Sequence, residues 1–143
     1  MVDERAPSMS GIQHLSLTVT DIEASATWYE QVFGMDRLPL TFPHHDREQT
    51  GHGVLMIHPG SGLGIALHVN TANTGEQFDE ARTGLDHVSF NAATRADLQA
   101  WVARLDSLGV EHTGIRDLTE PFPFSTVVVR DPDNIQLEFI TIG

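Results

Sequence analysis

Gly11-Ile12-Gln13-His14-Leu15-Ser16-Leu17 and Gly84-Leu85-Asp86-His87-Val88-Ser89-Phe90 carry one pattern, Gly, apolar, polar, His, apolar, Ser, apolar, at an offset of 73 residues. The same offset relates Trp28 to Trp101. A third match sets Gly64-Ile65-Ala66-Leu67-His68 against Asn134-Ile135-Gln136-Leu137-Glu138, at an offset of 70. Two copies of this length read as a duplicated module and not as a solenoid array. On this alignment His14 answers His87, and His68 answers Glu138.

Outward from these stretches, each copy repeats one order of elements. Residues 12–19 alternate apolar and polar and read as a strand. Asp21 to Phe33 then carries Ile22, Trp28, Tyr29, Val32 and Phe33 at helical spacing, with Thr20 or Asp21 as N-cap and Gly34 as the stop. Three strands are expected after it, near 37–42, 53–58 and 63–70, punctuated by Pro43, Pro59-Gly60 and Gly62. In the second copy, strand 85–92 leads into a helix over about 95–108, capped by Thr94 and ended by Gly109. Strands near 110–115, 126–130 and 135–142 follow, the last two joined by the turn Asp131-Pro132-Asp133-Asn134. The expected fold is α+β, one domain over 1–143 made of two βαβββ modules, about 11–70 and 84–142. The linker 71–83 is polar and acidic and has room for one helical turn. Two prolines flanking phenylalanines make 119–124 a rigid apolar loop, suited to one wall of a pocket.

Composition narrows the function classes. A chain of 143 residues, 40% hydrophobic, can build one compact core shared by both modules. It has no run near the ~18 apolar residues of a membrane span, and residues 1–10 show neither a basic cluster nor an apolar signal core. A soluble, cytoplasmic protein is expected. Cysteine is absent, which excludes disulfides, thiolate nucleophiles and sulfur-ligated zinc. All eight basic residues are Arg, so Schiff-base chemistry is excluded too. A net charge of −12 argues against nucleic acid, because phosphate binding needs a basic stripe.

Strand parity gathers the chemistry. Side chains alternate between faces, so Leu15, Leu17 and Val19 oppose His14, Ser16 and Thr18, and Val88, Phe90 and Ala92 oppose His87, Ser89 and Asn91. His68 and Glu138 likewise fall on the polar faces of their strands. The apolar faces must meet the helices, leaving the ligand-type residues on faces turned away from them. If both modules curve alike, those faces converge on one cavity. Grouping three imidazoles and a carboxylate without a cation leaves unpaired polar groups. A divalent ion removes that cost, and nitrogen plus oxygen ligands without sulfur suit Fe, Mn, Ni, Co or Zn.

The opening Gly11 to Ile22 with Trp28-Tyr29 and Phe33-Gly34, together with Gly84 to Phe90 and Asp131 to Glu138, resembles the vicinal oxygen chelate superfamily over residues 11–142. Its members include glyoxalase I, extradiol dioxygenases, methylmalonyl-CoA epimerase, fosfomycin resistance enzymes and bleomycin-binding resistance proteins. The resemblance implies curved mixed sheets enclosing a cleft, often within a homodimer. It places His14, His87 and Glu138 at the usual three metal positions and His68 at a fourth, where glyoxalase-like members often carry Glu. It implies a metal-dependent lyase, isomerase or dioxygenase acting on a small molecule whose neighbouring oxygens chelate the ion.

Glu138, or a nearby histidine among His44, His45, His52, His58 and His112, would move the proton. A fosfomycin-type transferase is disfavoured, since no Arg lies on the inward face of the four ligand strands. The alternative is a non-catalytic protein that sequesters an antibiotic or metabolite in the same cleft, with Phe42, Met56, Phe122, Phe124, Trp28 or Trp101 as apolar walls. The tryptophans' helical spacing also suits core packing.

Overall fold

The computed structural model describes residues 5–44 and 50–143. The first module runs β1 (His14–Thr18), α1 (Ile22–Phe33), β2 (Asp36–Pro43), β3 (Gly51–Ile57) and β4 (Gly64–Asn70). The second runs β5 (Val88–Asn91), α2 (Arg95–Ser107), β6 (Arg116–Leu118), β7 (Phe124–Arg130) and β8 (Gln136–Ile142). Each forms one four-stranded sheet, in the orders β1-β4-β3-β2 and β5-β8-β7-β6. The first strand of each module lies parallel to the last, and the remaining pairs are antiparallel. This is the expected α+β arrangement of two βαβββ modules.

The helix ends follow from local chemistry. Asp21 caps α1 by accepting the Ala24 N–H at 3.1 Å, and Gly34 closes it in the left-handed region at φ 67°. Thr94 and Asp97 form a reciprocal capping box on α2. The last turn of α1 holds no basic residue of its own. Arg104 of α2 donates instead to the Val32 and Gln31 carbonyls, at 2.8 and 2.6 Å, and so satisfies two of the orphan acceptors at that end.

One hydrophobic core spans both modules. Leu17, Val19, Ile65, Leu67, Val54 and Met56 come from the first sheet, and Leu137, Phe139, Val127 and Val129 from the second. Phe33 is the hub, with ring centroids 5.3 to 5.7 Å from those of Trp28, Tyr29, Phe90, Trp101 and Phe139. Trp101 stacks on Phe139 at 4.1 Å, so both tryptophans belong with the core. Met56 is fully buried on the helix side and cannot serve as a cavity wall.

The turn between β7 and β8 also ties the modules together. Asp131 accepts the N–H groups of Asp133 and Ile135 on one oxygen and the Tyr29 hydroxyl at 3.0 Å on the other. Asp133 accepts the backbone N–H and the hydroxyl of Thr20 at 3.0 and 2.5 Å. Both carboxylates are buried. Burial pushes the Asp131 carboxyl above its ordinary value despite these hydrogen bonds, and raises the Tyr29 phenol in turn.

Three sequence expectations need correction. The sixth strand is Arg116–Leu118, not 110–115, because Gly114 sits at φ 71° and turns the chain after His112 has made only an isolated bridge to Val129. The seventh begins at Phe124, two residues early. The linker contains turns and no helical element. It is strapped to the second module by the Phe78 N–H on the Asp133 carbonyl, by Asn134 on the Phe78 carbonyl, and by Glu80 paired with Arg130 at 2.7 Å.

Candidate metal centre

The face of each sheet turned away from the helices is the polar one, as strand parity requires. His14, Ser16 and Thr18 are exposed on β1, and Ser89 and Asn91 on β5 with His87 just before it. The second module assembles a pair. The His87 Nε2 lies 3.5 Å from Glu138 Oε1, and the Ser89 hydroxyl donates to that same oxygen at 2.6 Å. Glu138 is the better covered of the two, its side chain 14% exposed against 37% for His87.

The residue before each histidine orients it. His87 Nδ1 lies 2.7 Å from Asp86 Oδ1, and His14 Nδ1 contacts the Gln13 side-chain oxygen. Each ring is therefore held through Nδ1, with Nε2 left for another partner. A hydrogen-bonded Nδ1 is the usual second layer of an imidazole metal ligand. Sequence reading noted a polar residue at 13 and at 86 but gave it no role. Its recurrence beside both histidines was the available signal.

The ladders change the correspondence between the modules. Ser89 is opposite Glu138, and its counterpart Ser16 is opposite Ala66. The residue equivalent to Glu138 is thus Ala66, and His68 lies two residues further along, opposite Thr18. A slip of two residues preserves strand parity, so the alternation that aligned His68 with Glu138 could not detect it.

Among the described residues, no three His, Asp or Glu side chains of one chain come together to hold an ion. His87 and Glu138 are one group and His14 is on the other sheet. His68 has its own surroundings. Its ring lies against Gly53, stacks on His44 at 4.9 Å, and leaves Nδ1 buried without a hydrogen-bond partner. Burial, then the neighbouring His44, His14 and His52, holds its pKa below the ordinary imidazole value.

The remaining histidines divide by their contacts. His58 bonds Ser61 within the β3–β4 turn, while His112 bridges Asp106 of α2 and the Gly114 N–H, so both are structural. His52 shares the helix-side parity of Val69. His44 bonds Thr50, and His45 lies outside the described residues. The open face of the second sheet is not devoid of cations: register puts Arg130 and Arg116 on it, from β7 and β6, beside a surface cavity of about 410 Å³. Arg130 is tied to Glu80 and Gln136. Expecting no Arg on the four ligand strands was sound, but it overlooked the strands beside them.

Residues 11–139 match the model of the Glyoxalase/Bleomycin resistance protein/Dioxygenase superfamily. The chain belongs to this superfamily. A superfamily domain from Frankia sp. EAN1pec is 34% identical, with a TM-score of 0.79 over 95% of this chain and 94% of that one. A glyoxalase family protein from Enterococcus faecalis is 16% identical, at a TM-score of 0.72 over 92% and 98%. The fosfomycin resistance protein FosX from Listeria monocytogenes, in complex with Mn(II) and sulfate, is 17% identical, at 0.64 over 95% of each chain. The last two likenesses show the shared superfamily fold alone. No curated protein is similar in sequence. No helix of the described residues is long and apolar enough to cross a membrane.

Proposed function

We propose that the protein is a divalent-metal-dependent enzyme acting on a small oxygenated molecule, with His87 and Glu138 of one copy and His14 of a second completing each metal site. The observation that carries this reading is the pair of imidazoles, each tied at Nδ1 by its preceding residue, with the His87 Nε2 aimed at Glu138. Two imidazoles and a carboxylate, without sulfur, fit Fe, Mn, Ni, Co or Zn and leave coordination positions open. FosX, which shares the fold, is known in complex with Mn(II), and that supports a metal for this reading.

A homodimer supplies what one chain lacks. The polar faces of both sheets are exposed, and Ile12 and Leu85, at equivalent positions just before the two histidines, are 80% and 50% exposed. Packing the first-module face of one copy on the second-module face of another would cover these residues and form two sites related by symmetry.

When bound, the ion would act as a Lewis acid for a substrate chelating through two neighbouring oxygens, in lyase, isomerase or dioxygenase chemistry. Asp86 and Gln13 keep the imidazoles in the tautomer that presents Nε2. Ser89 holds one oxygen of Glu138 and leaves the other free to bind or to accept a proton. His68 stands outside this set in the proposal, since the ladder puts Ala66 where a fourth ligand would be.

The test is elemental analysis of protein purified without chelator, beside His14→Ala, Glu138→Ala and their mixture after dissociation and reassembly. Near-stoichiometric metal in the wild type, loss in each variant and recovery of about one quarter of the wild-type sites in an equal mixture is expected. That fraction follows because half the dimers are mixed and each rebuilds one of its two sites. Absence of metal after reconstitution would move the assignment to a protein that sequesters its ligand. Metal retained in His14→Ala would place the site within one module.

A further inference from the structure

His68 occupies a built position on the open face of the first sheet. It is cross-strand from Gly53, and Phe42 follows on β2 at the same register. A Cβ at Gly53 would fall 2.5 to 2.7 Å from three atoms of the His68 ring, so only glycine lets the imidazole lie flat across β3. His44 covers the ring's other face at 4.9 Å and is itself fixed by Thr50 at 2.7 Å. The clamped ring has no hydrogen-bond partner at either nitrogen among the described residues, and its Nδ1 is buried. An unpaired buried imidazole nitrogen is unfavourable unless something meets it.

Its place along the strand says what that is. His14 is opposite Gly64 and Thr18 is opposite His68, so the backbones of the two histidines stand four residues apart, about 13 Å along the strand, while the His14 ring is still near enough to lower the His68 pKa. Between them the same face carries Leu55 beside Ala66, and Ile57 lies level with His14 beside Gly64. Ser16 of β1 lies opposite Ala66, so this face is polar at both ends and apolar in the middle apart from that one hydroxyl.

We infer that His68, clamped between Gly53 and His44, hydrogen-bonds the far end of an elongated ligand whose other end chelates the metal. The ligand class is a molecule with vicinal oxygens at one end, a flat apolar body over Leu55 and Ala66, and a hydroxyl or carbonyl at the other end. His68 is a specificity-determining residue and not a metal ligand. The inference rests on the metal reading above and extends it to the substrate.

The test uses the cobalt(II)-loaded dimer, titrated through its visible absorption with catechol and with 4-(2-hydroxyethyl)catechol, which adds a distal hydroxyl. The wild type is expected to bind the hydroxyethyl probe about tenfold more tightly than catechol, the size of one good hydrogen bond. His68→Phe keeps the ring volume, and Gly53→Ala displaces the native ring. Both should bring the ratio to near one, with catechol affinity, cobalt content and circular dichroism unchanged. A ratio near one in the wild type, or one that survives both substitutions, overturns the inference alone. Cobalt lost in His68→Phe does so as well, by making His68 a ligand. A wild-type protein that takes up no cobalt overturns the metal reading and this inference with it.

Discussion

At the scale of single residues, the informative positions are those that hold other residues in place. Asp86 and Gln13 each engage the Nδ1 of the histidine that follows, and under the proposed metal reading such partners typically change metal affinity ten- to a hundredfold. Asp86→Ala should therefore weaken metal binding by about that factor while leaving the thermal midpoint nearly unchanged, since both side chains of the pair are substantially exposed. A competition titration with a chromophoric chelator would read it, and an unchanged affinity would deny Asp86 that role. Much of this scale was legible in the sequence. The duplicated Gly-apolar-polar-His pattern located His14, His87 and the faces they occupy. The exception was His68, because a two-residue slip leaves parity intact and only backbone pairing shows Ala66 opposite Ser16.

Elements were legible where local chemistry and burial agreed. Both helices begin at their capping residues and end at or beside the glycines that stop them, and β1 and β8 follow their alternation. β6 was misplaced because Arg116-Asp117-Leu118 is exposed and carries no apolar signal, while Val110 and Ile115 pack on the core from irregular backbone. Arg104 joins the helices, and Arg104→Ala should cost about 1 kcal/mol by removing its bonds to the end of α1, as denaturant unfolding would show. Leu105, fully buried on α2, should cost about 2–5 kcal/mol as Leu105→Ala.

The linker strap makes a prediction in pH. Arg130 beside Glu80 holds its carboxyl down to about 2 from an ordinary 4.5. A depressed carboxylate stabilises the fold above its unfolded value, and that contribution is lost as pH falls from about 4.5 to about 2. Glu80→Gln should therefore flatten part of the thermal midpoint's decline over this window and lower the midpoint slightly near pH 7. The exposed setting of the pair keeps both effects small and sensitive to salt. Identical acid limbs for the two proteins would show that the strap contributes nothing.

For the whole molecule, the shared core explains why His14 and the His87–Glu138 pair stay apart in one chain. Both sheets spend their apolar faces on a common interior centred on Phe33, which leaves both polar faces outward. Sequence parity predicted which face each of these residues occupies, but it carries no information on how two modules are disposed about their core. Tyr29→Phe should destabilise the chain by about 1–3 kcal/mol, because it leaves the buried Asp131 without its Tyr29 hydrogen bond. Calorimetry showing no loss would mean that the Tyr29–Asp131 bond does not hold the modules together, whatever Thr20 contributes through Asp133.

That turn also breaks the symmetry of the duplication. In the first module the corresponding bend, His58 to Gly62, has no acidic side chain and is stitched only to itself. In the second, Asp131 and Asp133 are satisfied by Tyr29 and Thr20. The halves are therefore not interchangeable. A gene cut at the linker would yield a second half with two carboxylates shaped for a sister that its own kind cannot replace, whereas supplying both halves as separate peptides would restore the match.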